Sequence, residues 1–314
     1  MTPPYISTNP IIYATVGLWG QVPQTTNSDS SSLAKQSLIL QPASTAPNSL
    51  QLFFYPVTMS YKIDTEVCLF DLDGTIVSTT VAAESAWTKL CKQYNVDPQE
   101  LFKVSHGSRT EEMLAKFFPD LDNTDNKGVS ALEKDIADNY LETVSLIPGA
   151  KDLLLSLDQN SDKNATTHRN FNIEGKRKWA IVTSGTRYIA FSWFKTILKE
   201  VGKPDVFITG EDVPEGKPSP LGYATAKEKL ATVWGRDNAH TRSVVFEDAP
   251  VGIQAGRAMG AKTIGIASSY PAEKLIEAGA DFVVKDMTHV KVVKNTEDGC
   301  ITLEITDPLH ARAI

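Results

Sequence analysis

From residue 66 onward, short apolar runs alternate with amphipathic or Ala-rich stretches. The runs are "VCLF" (67–70), "WAIVTS" (179–184), "VFIT" (206–209), "SVVFED" (243–248), "TIGIA" (263–267) and "DFVV" (281–284). They are rich in Val and Ile and alternate little with polar residues, the pattern of strands buried on both faces. Between them, 186–199, 219–231 and 251–259 read as helices. Strand and helix in alternation imply a parallel sheet with crossover helices, so the expected class is α/β with a Rossmann-like core.

Residues 79–147 break this rhythm. They carry helical patterns at 81–94, 110–117 and 128–143 and no clear strand, and so read as an all-helical cap inserted after the first strand. In an open α/β sheet the ligand lies beyond the carboxyl ends of the strands, where such an insert is a candidate lid. The expected division is a core of 59–78 and 148–314, a helical cap of 79–147, and a poorly ordered extension of 1–58. That extension is rich in Ser, Thr, Pro, Asn and Gln, and its only charged residues are Asp29 and Lys35. It has neither the basic, amphipathic character of a transit peptide nor the basic start of a secretory signal. Met59 stands twelve residues before Asp71, about the length of a first strand, so the native protein is expected to start there. Residues 158–177 are polar, without periodicity, and read as a surface loop.

The net charge of −7 argues against nucleic acid as a partner, because phosphate-backbone binding needs clustered Lys and Arg. No apolar run is long enough to span a membrane. Cys68, Cys91 and Cys300 are far apart and lack CxxC spacing, which favours reduced thiols and a cytoplasmic protein.

Polar clusters fall where the strands stop. They are Asp71 with Asp73 in "DLDGT", Thr183 with Ser184, Lys217 in "EGKPSP", and Glu247 with Asp248. Each alone is an ordinary turn, cap or solvated charge. Asp71 and Asp73 are close enough to oppose each other's ionisation, a strain relieved by a cation or by one retained proton. Together the clusters supply what phosphoryl transfer needs. Three carboxylates suit a hard divalent cation, with Mg²⁺ typically taking one or two of them plus phosphate oxygens and water. Lys217 and the Thr183 hydroxyl suit phosphate oxygens. Asp71 can then serve as nucleophile, and Asp73 as proton donor to the leaving alkoxide.

Four motifs in this order, "DLDGT", "VTSG", "GKPSP" and "FEDAPVGI", resemble those of the haloacid dehalogenase superfamily over residues 66 to about 290. The resemblance implies an aspartyl-phosphate on Asp71, acid and base work by Asp73, and a phosphate grip by Thr183, Ser184 and Lys217. It also implies Mg²⁺ on the Asp71 side chain, the Asp73 carbonyl and the Asp248 side chain, with Glu247 in or near that shell. Dehalogenating members lack the second aspartate. In the cap loop "SHGSRT", His106 and Arg109 occupy the place from which such enzymes reach the leaving group. The longer stretches most resemble fungal 2-deoxyglucose-6-phosphate phosphatases, with glycerol-1-phosphate phosphatases more distant. They imply a phosphatase for small sugar or polyol phosphates, compatible with a monomer. A sugar phosphomutase of the same fold is disfavoured by Thr75, where mutases typically carry Val, and by Ala83, where they use a cap His. A regulatory pseudoenzyme is disfavoured because every motif residue is present.

Overall fold

The computed structural model describes residues 58–162, 170–172, 175–297 and 299–312, together with two strands upstream. These are β1 (Gln36–Ile39) and β2 (Phe53–Pro56), which pair antiparallel with each other. The expected disorder of 1–58 otherwise lies outside the described residues, as does much of the 158–177 loop.

β3 (Ser60–Thr65) leads into β4 (Val67–Phe70), the expected first strand, in which every residue is buried. A short antiparallel pair follows, β5 (Val77–Ser78) with β6 (Ser145–Leu146). The chain between them forms α1 (Thr80–Tyr94), α2 (Pro98–Ser105), α3 (Thr110–Phe117) and α4 (Lys127–Asn139). α1 buries Ala82, Ala86, Trp87 and Cys91, one face at helical spacing, and Trp87 stacks on Phe118 with ring centroids 5.9 Å apart. α2 has no counterpart in the apolar pattern. It is set instead by its start, where the Asp97 side chain accepts from Gln99 N at 2.9 Å and Pro98 takes the first helical position. α4 ends at Asn139, short of the expected 143, and Leu141–Thr143 forms a single 3₁₀ turn. Among the residues α4 buries with Val129, Leu132 and Ile136 is a carboxylate, Glu133.

The chain then runs through α5 (Ala150–Leu157), β7 (Trp179–Val182), α6 (Arg187–Lys195), β8 (Phe207–Ile208), α7 (Leu221–Val233) and β9 (Ser243–Glu247). It continues through α8 (Pro250–Ala258), β10 (Lys262–Ile266), α9 (Ala272–Glu277), β11 (Phe282–Val284), β12 (Val290–Asn295), β13 (Ile301–Thr306) and β14 (His310–Ala311). The main sheet has the order β8-β7-β4-β9-β10-β11-β14. All its pairings are parallel except that of β14, which adds antiparallel to β11. β4 lies between β7 and β9, and α7 packs Tyr223, Ala226 and Leu230 onto Val67, Leu69, Val182 and Val245. Full burial of an aliphatic or aromatic side chain of this kind contributes about 1.5–3 kcal/mol.

The terminal hairpin was not anticipated. β12 and β13 form a separate antiparallel sheet with β3, and in β13 Ile301, Leu303 and Ile305 are buried while the residues between them are half-exposed. That alternation belongs to a sheet covered on one face only. Among the described residues no helix is long and apolar enough to cross a membrane.

Candidate active site

β4, β7 and β9 run parallel side by side, so their carboxyl ends deliver three polar segments to one place. Asp71 follows β4 directly, Thr183 follows β7, Glu247 ends β9 and Asp248 follows it. Lys217 arrives from the loop before α7 and is buried with them.

Lys217 Nζ donates to Asp71 Oδ1 at 2.5 Å and to Glu247 Oε1 at 2.6 Å. Glu247 is fully occupied by protein. Its Oε1 also accepts from the Tyr223 hydroxyl at 2.8 Å, and its Oε2 accepts from the backbone N–H groups of Asp248 and Ala249, both at 3.1 Å. Gly252 permits this placement, since a Cβ there would fall 1.7 Å from Glu247 Oε1. Asp248 differs. Its Oδ1 accepts from Thr75 Oγ1 at 3.0 Å, but its Oδ2 is buried without a hydrogen-bond partner, as is Oδ2 of Asp71. Gly74 adopts φ +91°, and a Cβ there would fall 2.0 Å from Asp248 Oδ2, so a side chain is excluded on both counts.

Buried carboxylates this close resist ionisation. Burial, with further repulsion from Glu247 and Asp248, pushes Asp71 well above the usual carboxylate range despite Lys217 beside it. Asp248 is pushed up to about 7 by burial and then by Glu247. For Lys217, burial disfavours the ammonium, but Asp71 and Glu247 outweigh it and hold the pKa above the ordinary lysine value.

Asp71, Glu247 and Asp248 each offer an oxygen within 4.8 Å of the others. The two orphaned oxygens belong to Asp71 and Asp248, and an oxygen with no protein donor in a buried site is what a hard cation takes up. Glu247 has no acceptor to spare and is better suited to aiming Lys217.

Asp73 is half-buried beside this cluster. Its Oδ1 accepts from the indole Nε1 of Trp193 at 2.9 Å, and its Oδ2 lies 3.4 Å from Thr183 Oγ1. Burial raises its pKa, against hydrogen bonds from Trp193, Thr79 and Thr183. The Ser184 hydroxyl turns away and donates to the Gly107 carbonyl at 2.8 Å, tying the core to the helical insert. Arg109 also serves that junction: its guanidinium donates to the carbonyls of Val213 at 2.6 Å and Pro214 at 3.3 Å. His106 Nε2 stands 3.2 Å from Glu84 Oε1, with its ring edge-on to Tyr270.

Three residues of the site went unread in the sequence. Tyr223 and Trp193 look like core aromatics on helices, and nothing in their spacing marks the polar atom each aims inward. Glu133 does leave a signal, a carboxylate inside the apolar stripe of α4. It accepts from Thr110 Oγ1 at 2.9 Å, from Thr186 N at 3.2 Å and from the Thr186 hydroxyl, linking the insert to the start of α6. Burial pushes it up to about 7.

A family model described as haloacid dehalogenase-like hydrolase matches residues 65–260. The chain is 61% identical over 251 residues to 2-deoxyglucose-6-phosphate phosphatase 2 of Saccharomyces cerevisiae, covering 79% of this chain and 98% of that protein. Glycerol-1-phosphate phosphohydrolase 1 of the same yeast is 37% identical over 257 residues, covering 81% and 95%. In fold the chain is similar to a HAD hydrolase, family IA, variant 3, from Entamoeba histolytica. That match has a TM-score of 0.55 at 22% identity and covers 71% of this chain and 94% of that one.

Proposed function

The chain belongs to the haloacid dehalogenase-like hydrolase family, and on that premise we propose that it is a Mg²⁺-dependent phosphatase of small sugar or polyol monophosphates. One observation carries the reading: Asp71 and Asp248 each keep a buried carboxylate oxygen without a partner, next to a lysine held by two carboxylates. A purely structural ion-pair cluster would use those oxygens. The identity to a yeast 2-deoxyglucose-6-phosphate phosphatase extends through the helical cap and supports a hexose or hexitol phosphate as substrate.

Asp71 and Asp248, with the Asp73 carbonyl, would hold the Mg²⁺. When bound, the ion would offset phosphate charge and orient the phosphoryl group. Lys217 and Thr183 would bind phosphate oxygens, with Ser184 next to Thr183 in the loop after β7. The Asp71 carboxylate attacks phosphorus in line with the leaving oxygen, to which Asp73 gives a proton; Asp73 then takes a proton from the water that hydrolyses the aspartyl-phosphate. Glu247 keeps the Lys217 ammonium aimed at this centre. His106 would stand on the sugar-facing rim of the cap, and Arg109 would fix how that rim meets the loop at Val213 and Pro214. All these groups come from one chain, so a monomer suffices, and the buried free thiols of Cys68 and Cys91 suit the reducing cytoplasm.

Phosphate release with Mg²⁺ from 2-deoxyglucose 6-phosphate, glucose 6-phosphate, sorbitol 6-phosphate, ribose 5-phosphate and both glycerol phosphates tests the reading. A kcat/KM highest for hexose or hexitol phosphates is expected. Preference for glycerol phosphates would move the substrate to the neighbouring class, and no release from any would overturn the proposal.

A further inference from the structure

Asp73 has to give up a proton and later accept one in a fixed direction, yet the torsion that orients an aspartate carboxyl is intrinsically broad. Something must decide which oxygen faces the substrate. Trp193 lies in the last turn of α6, is wholly buried, and donates from Nε1 to Asp73 Oδ1 at 2.9 Å. An indole N–H is a donor with no lone pair to offer, so the oxygen it touches is the acceptor of that bond and the proton is favoured on the other oxygen. The other oxygen, Oδ2, faces the Thr183 hydroxyl at 3.4 Å, and the Thr79 hydroxyl also hydrogen-bonds this carboxyl. A hydroxyl donates or accepts by rotation, and Thr183 Oγ1 already accepts from Gly185 N at 3.1 Å. The two oxygens of Asp73 are thus chemically unequal.

We propose that Trp193 is a positioning residue that locks the Asp73 carboxyl, reserving Oδ1 as acceptor and leaving Oδ2, on the Thr183 side, as the oxygen that carries the transferable proton. The inference rests on the reading of Asp73 as general acid and base. In the first half-reaction the Oδ2 proton passes to the bridging ester oxygen as its bond to phosphorus breaks and the bond from Asp71 to phosphorus forms. In the second, water gives a proton to Oδ2 as its oxygen bonds to phosphorus and the bond from Asp71 breaks. Trp193 exchanges no proton in either. The helix that carries it buries Ile189, Ala190 and Phe194 as well, and Glu133 holds Thr186 at its start.

The test compares kcat/KM, which reports phosphoryl transfer to Asp71, for 2-deoxyglucose 6-phosphate and p-nitrophenyl phosphate. The sugar alkoxide needs a proton to leave and the nitrophenolate does not. Trp193→Phe keeps an aromatic ring and loses the donor. Replacement of Trp193 by 3-benzothienylalanine keeps the indole shape with sulfur in place of N–H, so it decides the question if the phenylalanine variant fails to fold. Asp73→Asn is the reference for loss of the acid. The ratio of sugar to aryl kcat/KM is expected to fall about tenfold or more in both Trp193 variants, in the direction set by Asp73→Asn. An unchanged ratio in the benzothienyl variant, with Asp73→Asn strongly selective, would assign Trp193 to packing and overturn the proposal. No selectivity in Asp73→Asn itself would instead overturn the reading of Asp73.

Discussion

Lys217 Nζ donates to Asp71 Oδ1 at 2.5 Å, while Oδ2 of the same carboxyl is buried with no hydrogen-bond partner. The two oxygens of this carboxyl therefore have different surroundings, an ammonium on one side and no hydrogen-bond donor on the other. Glu247 sets this up by accepting from Lys217 without competing for a cation.

Lys217→Met should leave Asp71 and Glu247 buried without their counter-charge. Loss of one partner from a buried ion pair costs about 3–5 kcal/mol, and loss of one transition-state donor costs about 10²–10³ in kcat. Urea unfolding of metal-free protein near neutral pH, beside phosphate release, checks both. Stability within about 1 kcal/mol of wild type would contradict the role assigned to this lysine.

Mg²⁺ should stabilise the protein more at high pH than at low. Asp248 is lifted from 3.8 to about 7, so in the folded protein it holds its proton more tightly than in the unfolded chain. Its contribution is then fully present below the unfolded value and is lost as pH rises through about 7. Asp71 is displaced in the same direction. A cation binds the ionised carboxylates, so the rise in Tm on adding Mg²⁺ should be larger at about pH 8 than at about pH 5.5. Equal shifts at both would show that these groups are not its ligands.

Glu133→Gln should flatten the pH dependence of stability without changing the fold. Burial lifts Glu133 from 4.5 to about 7, so its contribution also declines as pH rises through that interval. The stability of wild type relative to the glutamine variant should fall by up to about 3 kcal/mol across it. Urea midpoints measured across the interval check this, and a constant difference would contradict it.

Arg109→Ala should lower kcat/KM for sugar and aryl phosphates alike, by about tenfold, because the guanidinium fixes the docking of the cap on Val213 and Pro214. A rise in KM confined to sugar phosphates would mean instead that it reaches the substrate directly.

The strands of the core and the motif residues were legible in the sequence for one reason. A strand buried on both faces leaves an apolar run, and a carboxylate at its end, as in "CLFDLD", stands out against it. Trp193 and Tyr223 were not legible, because periodicity reports that a side chain is buried and not where its one polar atom points. The docking of Ser184 on Gly107 and of Arg109 on the loop at 213–214 joins segments far apart in the chain, and local pattern carries no trace of such pairings. α2 was legible in principle, from Asp97 and Pro98, once capping is weighed ahead of apolar period. The second strand of the terminal hairpin was legible in principle, since "ITLEIT" alternates over six residues as a half-buried strand does.

The most direct test is a rapid acid quench of the enzyme turning over 2-deoxyglucose 6-phosphate with Mg²⁺, followed by mass spectrometry of the tryptic peptide 63–89, which contains Asp71. The expected result is one phosphoryl group, hydroxylamine-labile, on Asp71 in wild type and none in Asp71→Ala, which should also release no phosphate. Undiminished phosphate release by Asp71→Ala, or a phosphoryl group on another residue, would contradict Asp71 as the nucleophile.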